Sequence, residues 1–320
     1  MLSPLFFHMY PKEQITLSEF NKNKDKLCVL RSYGGLGDII AMRMIFQDLK
    51  IKYPNFHITW AVPYIYFPVA KNHPYIDDVV CSHTYNKNDY ICVYNLSTIC
   101  TRYEWKHKNQ NLKNRSDIWA NYFGLELENH NTFMPSFDDD KIILQQKLLK
   151  LGWDGKKKIV LLSPISAIPV KNLLKKHVEF IQKMTQDYFL VILHTTPILE
   201  FAELNIPTLC GLDLKQAMCA VELCDYCIST DTGILHAAAA YGKPTLGIFS
   251  FVDGETYCKY YPTVEIVQKH FKDFPGWCGP CHDFARCPKN LGSQIKPCIS
   301  DIDKDMIKER WLILLNKYGK

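Results

Sequence analysis

Short apolar runs alternate along this chain with longer amphipathic stretches, and that alternation constrains the fold more than any other feature. KLCVLRS at 26–32 reads as a buried strand, and DIIAMRMIFQDLKIKYP at 38–54 as an amphipathic helix stopped by Pro54. FHITWAVP at 56–63, IDDVVCS at 76–82 and DYICVYNL at 89–96 read as further strands. A second series starts with KKIVLLSP at 157–164 and runs through DYFLVILH at 187–194, DYCISTD at 225–231 and KPTLGIF at 243–249. Helices are expected between these strands at about 173–186, 213–223 and 233–241, with a last one near 302–317. Such a strand–helix–strand rhythm predicts mainly parallel sheets with helices on both faces. The polar stretch 127–140 reads as a linker, its DDD at 138–140 as a solvated turn. The expectation is an α/β chain of two Rossmann-like, doubly wound domains in tandem, residues 1–135 and 136–320.

Composition sets the outer limits. With 320 residues, 47% of them hydrophobic and 22% charged, the chain is globular and can bury sizeable cores without disulfides. The net charge of +5 welcomes anionic partners but is too small to establish nucleic-acid binding. Thirteen cysteines, an odd number, are scattered through expected strands at Cys28, Cys92, Cys224 and Cys227. That usage suits a reducing, cytoplasmic setting better than a secreted disulfide scaffold. The opening MLSPLFFHMYPKEQ has two prolines and no basic n-region, so it does not read as a signal peptide. No apolar run approaches the ~20 residues of a spanning helix, which leaves at most a membrane-peripheral protein.

Two junctions carry the chemistry. In STDTGILHAAAAYGKPTLGIF, 229–249, DYCIST is a strand, DTG a turn and ILHAAAAYG a helix. First-turn amides lack internal partners, and with the helix dipole they form an anion site. Gly233 lets a phosphate approach the backbone, Thr230 and Thr232 add hydroxyl donors, and His236 lies one turn further on. The plainer alternative is that Asp231 or Thr232 is only an N-cap. In LRSYGGLGDIIAMRMI, 30–45, Gly34, Gly35 and Gly37 permit a tight turn, and Asp38 stands at the helix start. The spacing G-G-x-G-D is not the dinucleotide fingerprint, and Asp38 as a helix N-cap is the rival reading.

The first of these segments is similar to the donor-site signature of the heptosyltransferases, glycosyltransferase family 9: Thr/Ser-Asp-Thr/Ser-Gly-x-x-His-x-Ala-Ala, then Gly-x-Pro-Thr. RSYGGLGD, the KYP that ends at Pro54, and NHPYIDDVV at 72–80 resemble the family's opening segments. The resemblance covers most of residues 27–300 and implies a GT-B-like fold, the two domains facing a cleft. It implies that Asp231, Thr232, Gly233 and His236 line the pocket for a nucleotide-diphosphate sugar, and that Asp38 is the general base on the acceptor hydroxyl. It also implies a phosphate-touching lysine, for which Lys171 is the best positional match. The family's Trp-Pro is missing here, so Lys175 and Lys176 are rivals. An inverting transfer without a catalytic metal, from ADP-heptose to a lipopolysaccharide-core or other glycan, follows from the same resemblance.

Two further stretches stay open. WCGPCHDFARCPKNLGSQIKPC, 277–298, spaces Cys278, Cys281, Cys287 and Cys298 as C-x2-C-x5-C-x10-C, which can build a structural zinc site or simply pack a loop. TRYEWKHKNQNLKNR, 101–115, reads as a basic, aromatic loop on the acceptor side, with Arg102 and Lys106 placed to grip an anionic glycan, a lipid-linked phosphate or a nucleic-acid backbone. Two alternatives follow: a transferase of the same fold acting on modified DNA or protein, and a non-catalytic nucleic-acid-binding protein with a zinc-bound tetracysteine.

Overall fold

The first strand forms at the apolar run that begins at Lys26, and the computed structural model describes residues 25–107, 112–282, 287, 289 and 296–319. The N-terminal stretch read above lies outside the described residues, as do parts of 101–115 and 277–298. The first half runs β1 (Lys26–Leu30), α1 (Leu36–Met42), α2 (Ile45–Lys52), β2 (His57–Val62), α3 (Phe67–Ala70), β3 (Asp78–Cys81), β4 (Cys92–Asn95), α4 (Ile99–Lys106) and α5 (Arg115–Tyr122). Its four strands are parallel, in the order β3-β2-β1-β4.

The second half opens with α6 (Asp138–Lys150), β5 (Ile159–Ser163), α7 (Lys175–Met184), β6 (Phe189–Leu193), β7 (Thr208–Leu209) and α8 (Leu214–Leu223). It continues with β8 (Tyr226–Thr230), α9 (Gly233–Ala240), β9 (Thr245–Ile248), α10 (Gly254–Tyr257), β10 (Val264–Val267), α11 (Pro297–Ser300) and α12 (Lys304–Tyr318). These six strands are also parallel, in the order β10-β9-β8-β5-β6-β7. Every residue of β5 and β8 is buried, as expected of central strands covered on both faces. One hydrophobic core joins the halves, with Ile39 and Trp119 on one side and Leu144, Met218 and Ala237 on the other.

The structure departs from the sequence reading at identifiable points. The single helix expected over 38–54 is two, α1 and α2, interrupted at Arg43 and Met44. Arg43 is fully buried, and its guanidinium donates to the carbonyls of Val69, Ala70, Thr132 and Phe133. Its own carbonyl accepts from His73 Nε2 at 3.0 Å, which draws it out of the helical ladder. The DDD at 138–140 is no solvated turn but the first turn of α6, where carboxylates complement the helix dipole. β7, with two residues, and β10, whose VEIV carries a charge, are too short for periodicity to reveal.

The stretch joining the two sheets is tied down from both sides. Arg43 holds it through Thr132 and Phe133, and Tyr241, which follows α9, donates its hydroxyl to the Pro135 carbonyl at 2.6 Å. Asp48 of α2 accepts from the amides of Glu128 and Asn129 at 2.8 and 3.0 Å.

Two buried histidines make this fold sensitive to acid. Burial and the neighbouring Arg43 push His73 down to about 3, and burial and Lys176 push His177 down to about 4. Both therefore stay neutral when folded but take up a proton in the unfolded chain below its usual value of about 6.5. Urea unfolding across a pH series should show full stability above about pH 6.5, then a loss of up to about 1.4 kcal/mol per pH unit per histidine as pH falls toward 4. A flat profile between pH 6.5 and 5 would contradict this account.

Candidate active site

In an open parallel sheet, ligands bind beyond the carboxyl ends of the strands where the winding reverses. In the first sheet that point lies between β1 and β4, and in the second between β5 and β8. The loops leaving β1 and β8 enter α1 and α9, and these two helix starts pack against each other. A Cβ on Gly37 would sit 2.6 Å from Cδ2 of His236, and one on Gly233 would sit 2.6 Å from Cβ of Leu36. Both glycines are thus needed for helix–helix contact, where the sequence suggested a phosphate approach for Gly233 and a tight turn for Gly37. The result is one cleft of about 890 Å³, lined from one side by Gly35, Gly37 and Asp38 and from the other by Lys171, Asp231, Thr232, Gly233 and His236.

On the β8 side, Thr232 is the N-cap residue of α9 by backbone geometry, but its side chain makes no capping bond. Its hydroxyl lies 3.0 Å from Ser229 Oγ and 3.4 Å from Ser163 Oγ. The cap reading therefore fails for Thr232, and the first amides of α9 are left for an anion. Asp231 is buried, with Oδ2 2.5 Å from Lys171 Nζ and Oδ1 3.8 Å from His236 Nε2. Burial alone would raise its pKa, but His236 and Lys171 outweigh that and hold the carboxyl far below the usual range. Thr230 is a correction. It is fully buried behind the cleft and donates its hydroxyl to the Lys171 carbonyl, so it sets the backbone of that lysine. The rival lysines lie elsewhere: Lys175 pairs with Glu179 and Glu203, and Lys176 donates to the Ser300 carbonyl.

On the β1 side, Gly35 and not Asp38 is the N-cap residue of α1, and Asp38 lies in the first turn. Its Oδ2 is 2.6 Å from Arg31 Nη2, and its Oδ1 is 2.5 Å from Arg115 Nη1. Burial raises its pKa, but Arg115 and Arg31 together lower it further, so the group is a carboxylate. Arg115 also forks onto Glu104 at 2.7 and 2.8 Å, and Tyr257 of α10 donates its hydroxyl to the same carboxylate at 3.0 Å. Gly34 has φ +131°, which favours glycine, while a Cβ on Gly35 would meet nothing within 4 Å.

The basic stretch is corrected as well. Residues 101–106 belong to α4, whose helical period puts Thr101, Glu104 and Trp105 on the cleft and leaves Arg102 and Lys106 exposed away from it. Arg102 and Lys106, the two residues placed to grip an anion, are therefore not at the cleft, whereas Trp105 and Arg115 of the same stretch line it. The cysteines Cys278, Cys281, Cys287 and Cys298 line one small cavity with Val170 and Phe251. Among the described residues, no three His, Cys, Asp or Glu side chains are arranged to hold a metal ion. Arg31, Glu104, Arg115 and Tyr257 were missed. A readable signal existed for Arg31, a charge ending an otherwise apolar strand; Arg115 was hidden among basic neighbours.

Residues 155–281 match the family model of glycosyltransferase family 9 (heptosyltransferase). No curated protein matches the chain significantly in sequence. Among solved structures, a family 9 glycosyl transferase of Veillonella parvula superposes with a TM-score of 0.70 at 14% identity, covering 91% of this chain and 97% of that one. The ADP-heptose LPS heptosyltransferase II of E. coli gives 0.63 at 14% identity, covering 92% of this chain and all (100%) of that one. The iron-containing dodecameric glycosyltransferase TibC of enterotoxigenic E. coli gives 0.68 at 13% identity, covering 92% and 77%. These likenesses establish the GT-B-like fold: two parallel sheets with flanking helices. No helix among the described residues is long and apolar enough to cross a membrane.

The glycine contacts can be tested by substitution. In Gly233→Ala, overpacking against Leu36 costs about 1–3 kcal/mol, whereas the gain in helix propensity is at most about 1 kcal/mol. Urea denaturation should show a larger destabilisation for Gly233→Ala than for Gly35→Ala, whose Cβ meets open space and which gives up only the N-cap preference for glycine over alanine. Equal midpoints for the two variants would show that the helix starts do not rely on glycine to meet.

Proposed function

The chain carries a glycosyltransferase family 9 domain over residues 155–281, and from that premise we propose that it moves a sugar from a nucleotide diphosphate to a hydroxyl acceptor with inversion. The donor is of the ADP-heptose type, in keeping with the name of the E. coli heptosyltransferase II that shares the fold. The acceptor is a hydroxyl on a lipopolysaccharide-core or other anionic or lipid-linked glycan. Residues 1–135 form the acceptor side and residues 136–320 the donor side. One observation carries this reading: a carboxylate, Asp38, and an anion-binding set, Lys171 with the start of α9, line the same cleft from opposite sheets.

The chemistry follows from that placement. The diphosphate binds to the first amides of α9 and to Lys171, which meet the negative charge that builds up as it leaves. Asp38 accepts the proton of the acceptor hydroxyl as that oxygen attacks the anomeric carbon and the bond to the diphosphate breaks. A single displacement of this kind inverts the centre. Asp231 keeps Lys171 aimed into the cleft, and His236 closes the site beside Gly37.

A transfer screen across ADP-, UDP- and GDP-sugars tests the donor class directly, with turnover expected for an ADP-sugar. Asp38→Asn should lower turnover about 10²–10⁴-fold while ADP binding by calorimetry is retained. Lys171→Ala should instead weaken ADP binding. Full turnover by Asp38→Asn, or no binding of any sugar nucleotide, would overturn the reading.

A further inference from the structure

The role proposed for Asp38 leaves open how a carboxylate is held ready at the edge of a cleft. Arg31 leaves the end of β1 and is almost wholly buried. Its Nη1 donates to the carbonyls of Leu96 and Ser97, just past β4, at 3.0 and 2.9 Å, and its Nη2 donates to Asp38 Oδ2 at 2.6 Å. The guanidinium also lies 5.3 Å from the ring centroid of Trp119 on α5. Three elements therefore fix this one side chain. The turn itself is shaped around the pair: a Cβ on Gly34 would fall 2.5 Å from Arg31 Nη2 and 2.9 Å from Asp38 Oδ2. Ser32 locks the same two loops together through the Ser97 hydroxyl, 2.9 Å from both its amide and its Oγ.

Arg115 differs on each count. It lines the cleft, keeps about a quarter of its side chain exposed (26%), and turns two of its nitrogens to Glu104. The two carboxylate oxygens of Asp38 are thereby distinguished. Oδ2 points to the buried clamp, and Oδ1 lies on the cleft side beside Arg115. A carboxylate oxygen accepts two hydrogen bonds, so Oδ1 can keep Arg115 and still take a hydroxyl.

We propose that Arg31 is the positioning residue of this site, holding Oδ2 so that Oδ1 is presented to the acceptor hydroxyl. In the transfer, the acceptor oxygen bonds to the anomeric carbon, the diphosphate leaves with its bonding pair, and the proton passes to Oδ1. Arg31 touches neither substrate. Its planar fork reaches two carbonyls through Nη1 and the carboxylate through Nη2, a fixed separation that the single nitrogen of a lysine does not reproduce. The inference rests on Asp38 being the base.

The charged and titratable groups around Asp38 are Arg31 from β1, Arg115 from α5 and His236 from α9. The Tyr66 phenol and the Cys100 thiol are near it, and Glu104 stands behind Arg115. Removing a guanidinium from this set raises the pKa of Asp38, and because the ionised form is active, the acid limb of kcat/KM moves to higher pH.

The experiment compares Arg31→Gln, Arg31→Lys and Asp38→Asn in the full chain, following ADP release from ADP-heptose, with ADP calorimetry and thermal melting as controls. Arg31→Gln should lose about 100-fold in kcat with ADP affinity unchanged, and its acid limb should rise by about one to three pH units. Arg31→Lys keeps the charge, so its acid limb should stay near wild type while kcat still falls. Wild-type kcat in Arg31→Lys overturns the proposal, as does an unmoved acid limb in Arg31→Gln. Parallel loss of ADP binding and kcat in Arg31→Lys also overturns it, by reducing Arg31 to a structural role. Should Arg31→Gln fail to fold, the lysine variant alone decides. Turnover by Asp38→Asn, in contrast, removes the base assignment itself.

Discussion

The site depends on the contact between two helix starts. α1 and α9 come from different sheets, and they meet only because Gly37 leaves room for the His236 ring and Gly233 for Leu36. Each helix begins at the point where its own sheet reverses its winding. Packing the two starts together therefore superimposes two ordinary ligand-binding crevices into one. A side chain at either glycine would separate the crevices, and with them the groups that have to act together.

Charge is distributed in that cleft in two nearly balanced sets. Asp38 and Glu104 are matched by Arg31 and Arg115, and Asp231 is matched by Lys171. Buried charges without partners would be prohibitively costly, and with these partners Asp38 and Asp231 stay ionised in surroundings that would otherwise neutralise them. The balance is not symmetrical. One arginine is locked by backbone carbonyls, while Lys171 sits on a short turn with its ammonium in the cleft.

Much of this was legible in the sequence, because parallel strands buried on both faces write themselves as apolar runs and the turns after β1 and β8 are marked by glycine. The runs at 157–164 and 225–231 became the central pair β5 and β8, and Asp38, Lys171, Asp231 and His236 do share one cleft. What the sequence hid were properties of the tertiary environment. Arg43 interrupts a helix because distant carbonyls recruit it, which no local pattern announces. Thr230 faces away from the cleft because the Lys171 carbonyl takes its hydroxyl. In 101–115 the basic residues outnumbered the signal of the helix beneath them. There, helical period sends Arg102 and Lys106 to one side and Glu104 to the other.

The core that runs unbroken from Ile39 and Trp119 to Leu144 and Ala237 has a mechanical consequence. Two lobes that share an apolar interior cannot swing apart like jaws without wetting it, and each Å² so exposed costs about 25 cal/mol. The lobes share one interior at the rear, so an opening that wets it is resisted in proportion to the apolar area exposed, and melting should take both sheets in a single cooperative step.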